Sequence, residues 1–337
     1  MWRCTRSVDW ACSGGGSGFP VAGEVRRTQL AIVARLRDVV ALATPALHVV
    51  IEPSQPGGAP RNRTALGVAW LRAAHQLVDG QPRILEDAPS VALLGHQAAE
   101  VRSDPLAHSP GARLLRSHIV LRSRFAEDRL RLAVERGVAR YIVLGAGYDT
   151  FLVRQPAWAR KIEIVEVDRG EIQEDKRAKL AAARFRVPNN VRFVSIDFEL
   201  ESLASGLARN GVPLDVPSFF SWLGVTMYLT EPAIYAVLST VAATPPGSEI
   251  VFTFAPTDPA TGSLASPELS GLASLAATAG EPWRTYFAPE ELVTKLRALG
   301  FSTVELLAPD DAERRYFAGR TDGLPAPRRS TIVSAIV

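Results

Sequence analysis

Cysteine is nearly absent from this chain of 337 residues: Cys4 and Cys12 are the only two, both within the first dozen positions. They cannot staple the body of the protein, so the core does not depend on oxidation. Lysine is also scarce. Lys161, Lys176, Lys179 and Lys295 leave 34 of the 38 basic residues as arginine, and 35 acids bring the net charge to +3. No dense basic tract interleaved with aromatics occurs, so a nucleic-acid partner is not expected. The nearest stretch, 113–140, has eight arginines against three acids, but at helical spacing, as on a solvated helix face. Long apolar runs are missing as well. The charge-free stretch 232–248 has 17 residues and is broken by Pro232, Pro245 and Pro246, whereas a spanning helix needs about 20. The five histidines (48, 75, 96, 108, 118) neither pair closely nor accompany cysteines, so no metal site is expected. The start lacks the basic–apolar–small pattern of a secretory signal, and a cytoplasmic location is expected.

What is present is ordinary globular composition: 47% hydrophobic and 22% charged residues, with mean hydropathy +0.07. That excludes a largely disordered chain, and the length sets a prior of about two domains. Residues 1–60 read as a flexible N-terminal extension. They include Ser13-Gly-Gly-Gly-Ser-Gly18, one helical pattern in 25–51, and a proline- and glycine-rich linker at 52–60. From 61 onward the texture is regular. Helical patterns cover 64–78 and 112–136, the latter with an apolar stripe of Leu114, His118, Leu121 and Phe125. Short apolar runs then alternate with helical patterns: 141–144, 162–167, 191–194, 217–223 and 249–254, with helices at 170–184, 199–209 and 231–243. This alternation predicts a parallel α/β sheet covered by helices on both faces. A last helix opens at Pro289, and two more strands follow at 304–307 and 331–337. The 61–337 region divides into a helical cap (61–136), a ligand-binding core (137–254), a lid or substrate segment (255–288) and a C-terminal helix with strands (289–337).

The strongest local signal follows the first strand: Leu144-Gly-Ala-Gly-Tyr-Asp-Thr150. In an open α/β sheet, ligands bind beyond the carboxyl ends of the strands, and glycines there let backbone approach a ligand closely. The second strand ends in Glu166-Val-Asp168, placing an acid close to the ~20 residues expected between a glycine turn and a ribose-binding carboxylate. Asp168 is preferred to Glu166 because it terminates the strand. After the third strand, Asp197-Phe198 suits an adenine, one residue hydrogen bonding and the other stacking. NAD and S-adenosyl-L-methionine (SAM) both carry adenosine. The third glycine that serves close packing beneath a pyrophosphate is replaced by Thr150, which favours SAM. No serine-nucleophile elbow occurs at these strand–helix junctions.

Further blocks agree in order. Thr64-Ala-Leu-Gly-Val-Ala-Trp-Leu-Arg72, Arg122-Ser-Arg-Phe-Ala-Glu-Asp128, the 141–150 glycine motif, Trp222-Leu-Gly-Val-Thr-Met-Tyr-Leu229 and Tyr316-Phe-Ala-Gly-Arg-Thr-Asp-Gly323 resemble the leucine carboxyl methyltransferase family, in its bacterial branch of O-methyltransferases linked to polyketide-type metabolism. The resemblance implies a class I SAM-dependent methyltransferase fold, a Rossmann-like seven-stranded, mostly parallel sheet with an N-terminal helical cap. It implies SAM as cofactor and a small-molecule methyl acceptor. Gly145, Ala146 and Gly147 would approach the methionine part of SAM, Asp168 would hold the ribose, and Asp197 with Phe198 would frame the adenine. Leu223 stands where some members place a glutamate, which weakens any transfer of their protein-carboxylate substrate.

An arginine before the first strand would bind the SAM carboxylate. Arg122 and Arg124 lie equally far from the Leu121/Phe125 stripe, so periodicity does not choose between them. Alignment to the family favours Arg124. A carboxylate acceptor needs no base, whereas a hydroxyl would benefit from one. Tyr148, Tyr228 and His118 are conceivable, but His118 reads better as a core histidine on an apolar stripe, and no base is assigned. The runner-up readings are an NAD-linked oxidoreductase and a non-catalytic SAM-binding protein.

Overall fold

The computed structural model describes residues 63–337. The N-terminal extension expected at 1–60 lies outside the described residues. Seven strands form one sheet: β1 (Arg140–Leu144), β2 (Glu163–Asp168), β3 (Val191–Ser195), β4 (Ser218–Trp222), β5 (Glu249–Thr253), β6 (Thr303–Leu306) and β7 (Ile332–Ile336). Their order is β3-β2-β1-β4-β5-β7-β6. β1 to β5 are parallel, and β7 runs antiparallel between β5 and β6. The chain reverses direction across the sheet between β1 and β4, since β1 runs on to β2 on one side and pairs with β4 on the other. A crevice at the carboxyl ends of the strands is expected at that switch. The expected class I methyltransferase sheet is therefore the one observed.

Eight helices of six residues or more occur among the described residues: α1 (Arg63–Val78), α2 (Ala88–Leu93), α3 (Pro110–Glu135), α4 (Gly170–Ala182), α5 (Leu203–Arg209), α6 (Glu231–Ala242), α7 (Pro267–Thr278) and α8 (Pro289–Ala298). Their ends follow local chemistry. Ser109, Ser202 and Ser266 accept hydrogen bonds from the first-turn N–H groups of α3, α5 and α7, and proline opens α3, α7 and α8. The capping by Ser202 starts α5 later than the helix expected from residue 199. None of the described helices is long and apolar enough to cross a membrane.

Alternation along the strands sorts their side chains onto two cores. Ile142, Leu144, Val165, Val167, Trp222 and Phe252 pack with helices α5, α6 and α8. Tyr141, Val143, Ile164, Phe219 and Val251 face the other way, onto Leu121, Phe125 and Leu130 of α3. The long α3 is also pinned electrostatically. Glu249, fully buried on β5, accepts from Arg129 at the end of α3 and from Arg136 just beyond it, and Ser334 of β7 donates to it as well. A buried carboxylate with three donors is satisfied, and removing any one of them would be costly.

Candidate functional site

The turn after β1 is built for a ligand to come close. Gly145 and Ala146 donate from their backbone N–H groups to the Val167 carbonyl at 2.8 and 3.1 Å, so the loop folds over the end of β2. Gly145 has φ of +65°, and a Cβ there would stand 2.4 Å from Val225 Cγ2. Gly147, at φ +47°, donates its N–H to Asp168 Oδ2 at 2.7 Å, and Arg169 N–H donates to Oδ1, also at 2.7 Å. Both carboxylate oxygens are thereby aimed, each keeping acceptor capacity for a ligand. Burial pushes the Asp168 pKa up, against those two backbone hydrogen bonds.

A buried network holds the loop from behind. Arg72 of α1 donates to Asp87 at 2.8 Å, to Asp149 at 2.5 Å and to Thr150 Oγ1 at 3.2 Å, and Thr150 donates to Asp87. Burial opposes charge on Asp149, yet Arg72 and Arg154 hold its carboxyl well below the usual range. Thr150 is fully buried. The residue that replaces a dinucleotide fold's third glycine thus serves as a hydrogen-bonding link between cap and loop.

These residues face a cavity of about 590 Å³ at the carboxyl end of the sheet, within the usual range for a cofactor site. The structure brings together in its wall Gly145, Ala146, Gly147, Asp168, Asp197, Phe198 and Leu223, seven of the eight residues expected from the sequence. Asp197 caps the turn after β3 through Glu199 N–H, and the Phe198 ring stands edge-on to Trp222, centroids 5.9 Å apart. Glu166, the other acid of the β2 pair, lies deeper in the protein. Its carboxylate is 2.6 Å from Lys176 Nζ, with both side chains 1% exposed, and burial pushes its pKa up to about 7.

Arg124 lies elsewhere. It is exposed, its Nε 2.9 Å from Asp128 one turn along α3, and it lines no part of the cavity. Arg122 takes the place expected for it. The reason is the orientation of α3: Ile119, Arg122 and Ala126 share its buried side, and Arg124 and Asp128 pair on a more exposed one. Two residues at equal angles from an apolar stripe differ only in which flank is covered, and periodicity carries no such information. Gly224, at φ +78°, makes the room, because a Cβ there would lie 2.6 Å from an Arg122 nitrogen. Arg122 is 8% exposed and has no hydrogen bond or ion pair among the described residues. Burial lowers its pKa to about 10, which leaves it cationic at neutral pH. A buried, unpaired guanidinium costs several kcal/mol unless an anion meets it.

Beyond Arg122 a second cavity, about 840 Å³, shares Thr64, Val68, Arg122, Gly224, Tyr228 and Ala279 with the first. The two chambers therefore adjoin along one wall. Segment 279–284 covers the first chamber, and the Thr64 backbone N–H donates to Glu281 at 3.0 Å, fastening that segment to α1. Among the described residues no group of His, Cys, Asp and Glu is arranged to hold a metal ion.

The leucine carboxyl methyltransferase family model matches residues 65–242. The chain belongs to the leucine carboxyl methyltransferase family. YktD of Bacillus subtilis strain 168, named provisionally as a SAM-dependent methyltransferase, is 32% identical over 206 residues, covering 61% of this chain and 67% of that protein. A Parafrankia protein of the same provisional name, Franean1_4929, is 29% identical over 199 residues, or 58% of this chain and 63% of its own. A DUF574-family structure from Streptomyces avermitilis aligns at 18% identity with a TM-score of 0.47, covering 79% of this chain and 95% of that one. The protein is a methyltransferase of this family, with SAM as its cofactor. The residues of the first chamber fit that molecule: a glycine cradle that a Cβ would fill, a carboxylate on β2 aimed by two backbone N–H groups, and the buried guanidinium of Arg122.

Proposed function

We propose that the protein transfers a methyl group from SAM to an oxygen atom, carboxylate or hydroxyl, of a small molecule. The supporting observation is the pair of adjoining chambers, one beside the glycine turn and the other behind Arg122, Gly224 and Tyr228. The wall of the second chamber carries Arg63, Arg122, Arg328 and Arg329 against one carboxylate, Glu268. That excess of cations opposes an ammonium-bearing acceptor and suits a neutral or anionic oxygen.

SAM, when bound, supplies a methyl group on a cationic sulfur, and its in-line displacement rewards alignment above all. Gly145, Ala146 and Gly147 let the loop backbone approach its methionine part. Asp168 accepts hydrogen bonds from the ribose hydroxyls, and Asp197 with Phe198 frames the adenine. Arg122, in place of Arg124, pairs with the carboxylate. Leu223 packs against the sheet core and forms part of the chamber wall. Helix α1 and segment 279–284 keep water out. Burial pushes the Tyr228 phenol up, so it stays protonated at neutral pH and serves as a hydrogen-bond donor at the junction of the chambers.

Methyl-labelled SAM presented with a panel of small carboxylic acids and phenols tests this reading. Label recovered as a methyl ester or ether is the expected result. Failure across the panel by a protein that binds SAM would favour a non-catalytic role.

A further inference from the structure

The second chamber has a histidine in its wall besides its arginines. His118 lies on α3 one turn before Arg122 and lines this chamber, where a histidine packed in the core was expected. Its Nδ1 is 3.3 Å from Thr331 Oγ1. Its Nε2 has no hydrogen-bond partner among the described residues, and packing does not seal it off. Burial, with Arg122 adding to it, lowers its pKa to about 3, so the ring is neutral at physiological pH. A neutral imidazole offers one donor and one acceptor. In the tautomer whose Nδ1–H donates to Thr331, Nε2 presents a lone pair; in the other, Thr331 donates to Nδ1 and Nε2 carries the N–H.

The surroundings define the molecule that would meet it. Leu114, Leu115, Met227, Phe254, Leu272 and Leu275 supply apolar wall, and the chamber's 840 Å³ admits a molecule of two or more rings. Of the charged groups on this wall, Glu268, Arg328 and Arg329 are exposed and Arg63 is half-buried. Arg122 is the one that is buried, and it faces both chambers. On the reading that Arg122 holds the cofactor carboxylate, on which this inference rests, the one buried cation of this wall among the described residues is committed to the cofactor.

We propose that the second chamber binds an uncharged, apolar, ring-sized molecule through a hydroxyl that donates to His118 Nε2, and that this is the methyl acceptor class. Such a hydroxyl would find a fixed acceptor in an otherwise apolar wall. A carboxylate would meet the apolar wall with the buried guanidinium of Arg122 already committed to the cofactor. Sites built to hydrogen bond a ligand hydroxyl discriminate against analogues that lack it, because the protein group is then left unpaired.

The test uses the full chain with S-adenosyl-L-homocysteine, and calorimetry with 2-naphthol, 2-methylnaphthalene and 2-naphthoate. In the wild type, 2-naphthol should bind about tenfold tighter than 2-methylnaphthalene, as expected for one hydrogen bond to a buried partner, and 2-naphthoate should bind more weakly than either. His118→Phe should abolish the preference for the hydroxyl, and His118→Gln, which keeps an acceptor, should restore part of it. Leu275→Trp, which fills the chamber, should remove naphthol binding and leave S-adenosyl-L-homocysteine binding within about twofold. Equal binding of naphthol and methylnaphthalene, or preferred binding of naphthoate, overturns the proposal. So does a hydroxyl preference that survives His118→Phe. Failure of S-adenosyl-L-homocysteine to bind is a separate outcome. It defeats the cofactor reading of the first chamber, and the dependence of naphthol on His118 still decides this one.

Discussion

Arg122 is the residue whose placement costs most and explains most. It is buried and cationic, with no hydrogen bond or ion pair among the described residues and only the longer-range attraction of Tyr228 and Asp149, an arrangement that folding alone does not favour. A residue kept at the expense of stability is expected where binding needs it. Replacement by methionine, which keeps much of the volume and removes the charge, should therefore leave the thermal midpoint of the ligand-free protein unchanged or higher. The same change should weaken binding of S-adenosyl-L-homocysteine by about 1.5–3 kcal/mol, roughly 10- to 150-fold in Kd. Arg124→Ala serves as the comparison. It removes an exposed pair with Asp128 and should change both quantities by less than about 0.5 kcal/mol. Calorimetric titration and thermal unfolding of the three proteins measure both effects, and equal losses in the two variants would count against the assignment. Position 122 was open to sequence reasoning only as a tie with 124. The buried face of α3 is set by what packs on it, and that comes from α1 and from Gly224, 100 residues further along.

At the scale of elements, the turn after β1 is the part that tolerates least. Its geometry depends on a positive φ at Gly145 and on the absence of a Cβ above Val225. Gly145→Ala imposes a left-handed strain of about 1–2 kcal/mol and a steric overlap worth roughly another 1–3. Denaturant unfolding should show a loss of about 2–5 kcal/mol in total, together with weakened cofactor binding. A neutral effect on both would mean that the turn opens without cost.

This turn was the most legible part of the site. Gly145, Gly147 and Asp168 follow short apolar strands at a spacing fixed by the β–loop–β geometry, so each function sits at a predictable distance along the chain. The strands were legible for a related reason, since parallel strands buried on both faces read as compact apolar runs. The antiparallel insertion of β7 between β5 and β6 was not. Nothing in the alternation of 303–306 and 332–336 states which neighbour each strand takes. The second chamber was equally hidden, because its wall combines α1, α3, α7 and the 325–331 stretch, joined only by folding.

For the whole molecule, the two chambers and the sheet order describe one arrangement: a parallel sheet whose switch point carries a cofactor-sized cavity, and helices α1, α3 and α7 that enclose a second cavity beside it. The network from Arg72 to Asp87, Asp149 and Thr150 ties the covering helices to the loop that meets the cofactor. Helix α1, which supplies Arg72, also forms part of the second chamber's wall. Length alone suggests about two domains, whereas the alternation from residue 61 onward points to one; within 63–337 the structure holds one sheet with helices built around its carboxyl edge.

The crevice at the carboxyl ends of the strands is built for SAM and not for a nicotinamide dinucleotide. Calorimetric titration of the full chain with SAM and, separately, with NAD tests it most directly. Saturable binding of SAM at one site per chain, with no measurable heat from NAD, is the result predicted. Saturable NAD binding with no SAM binding would contradict it.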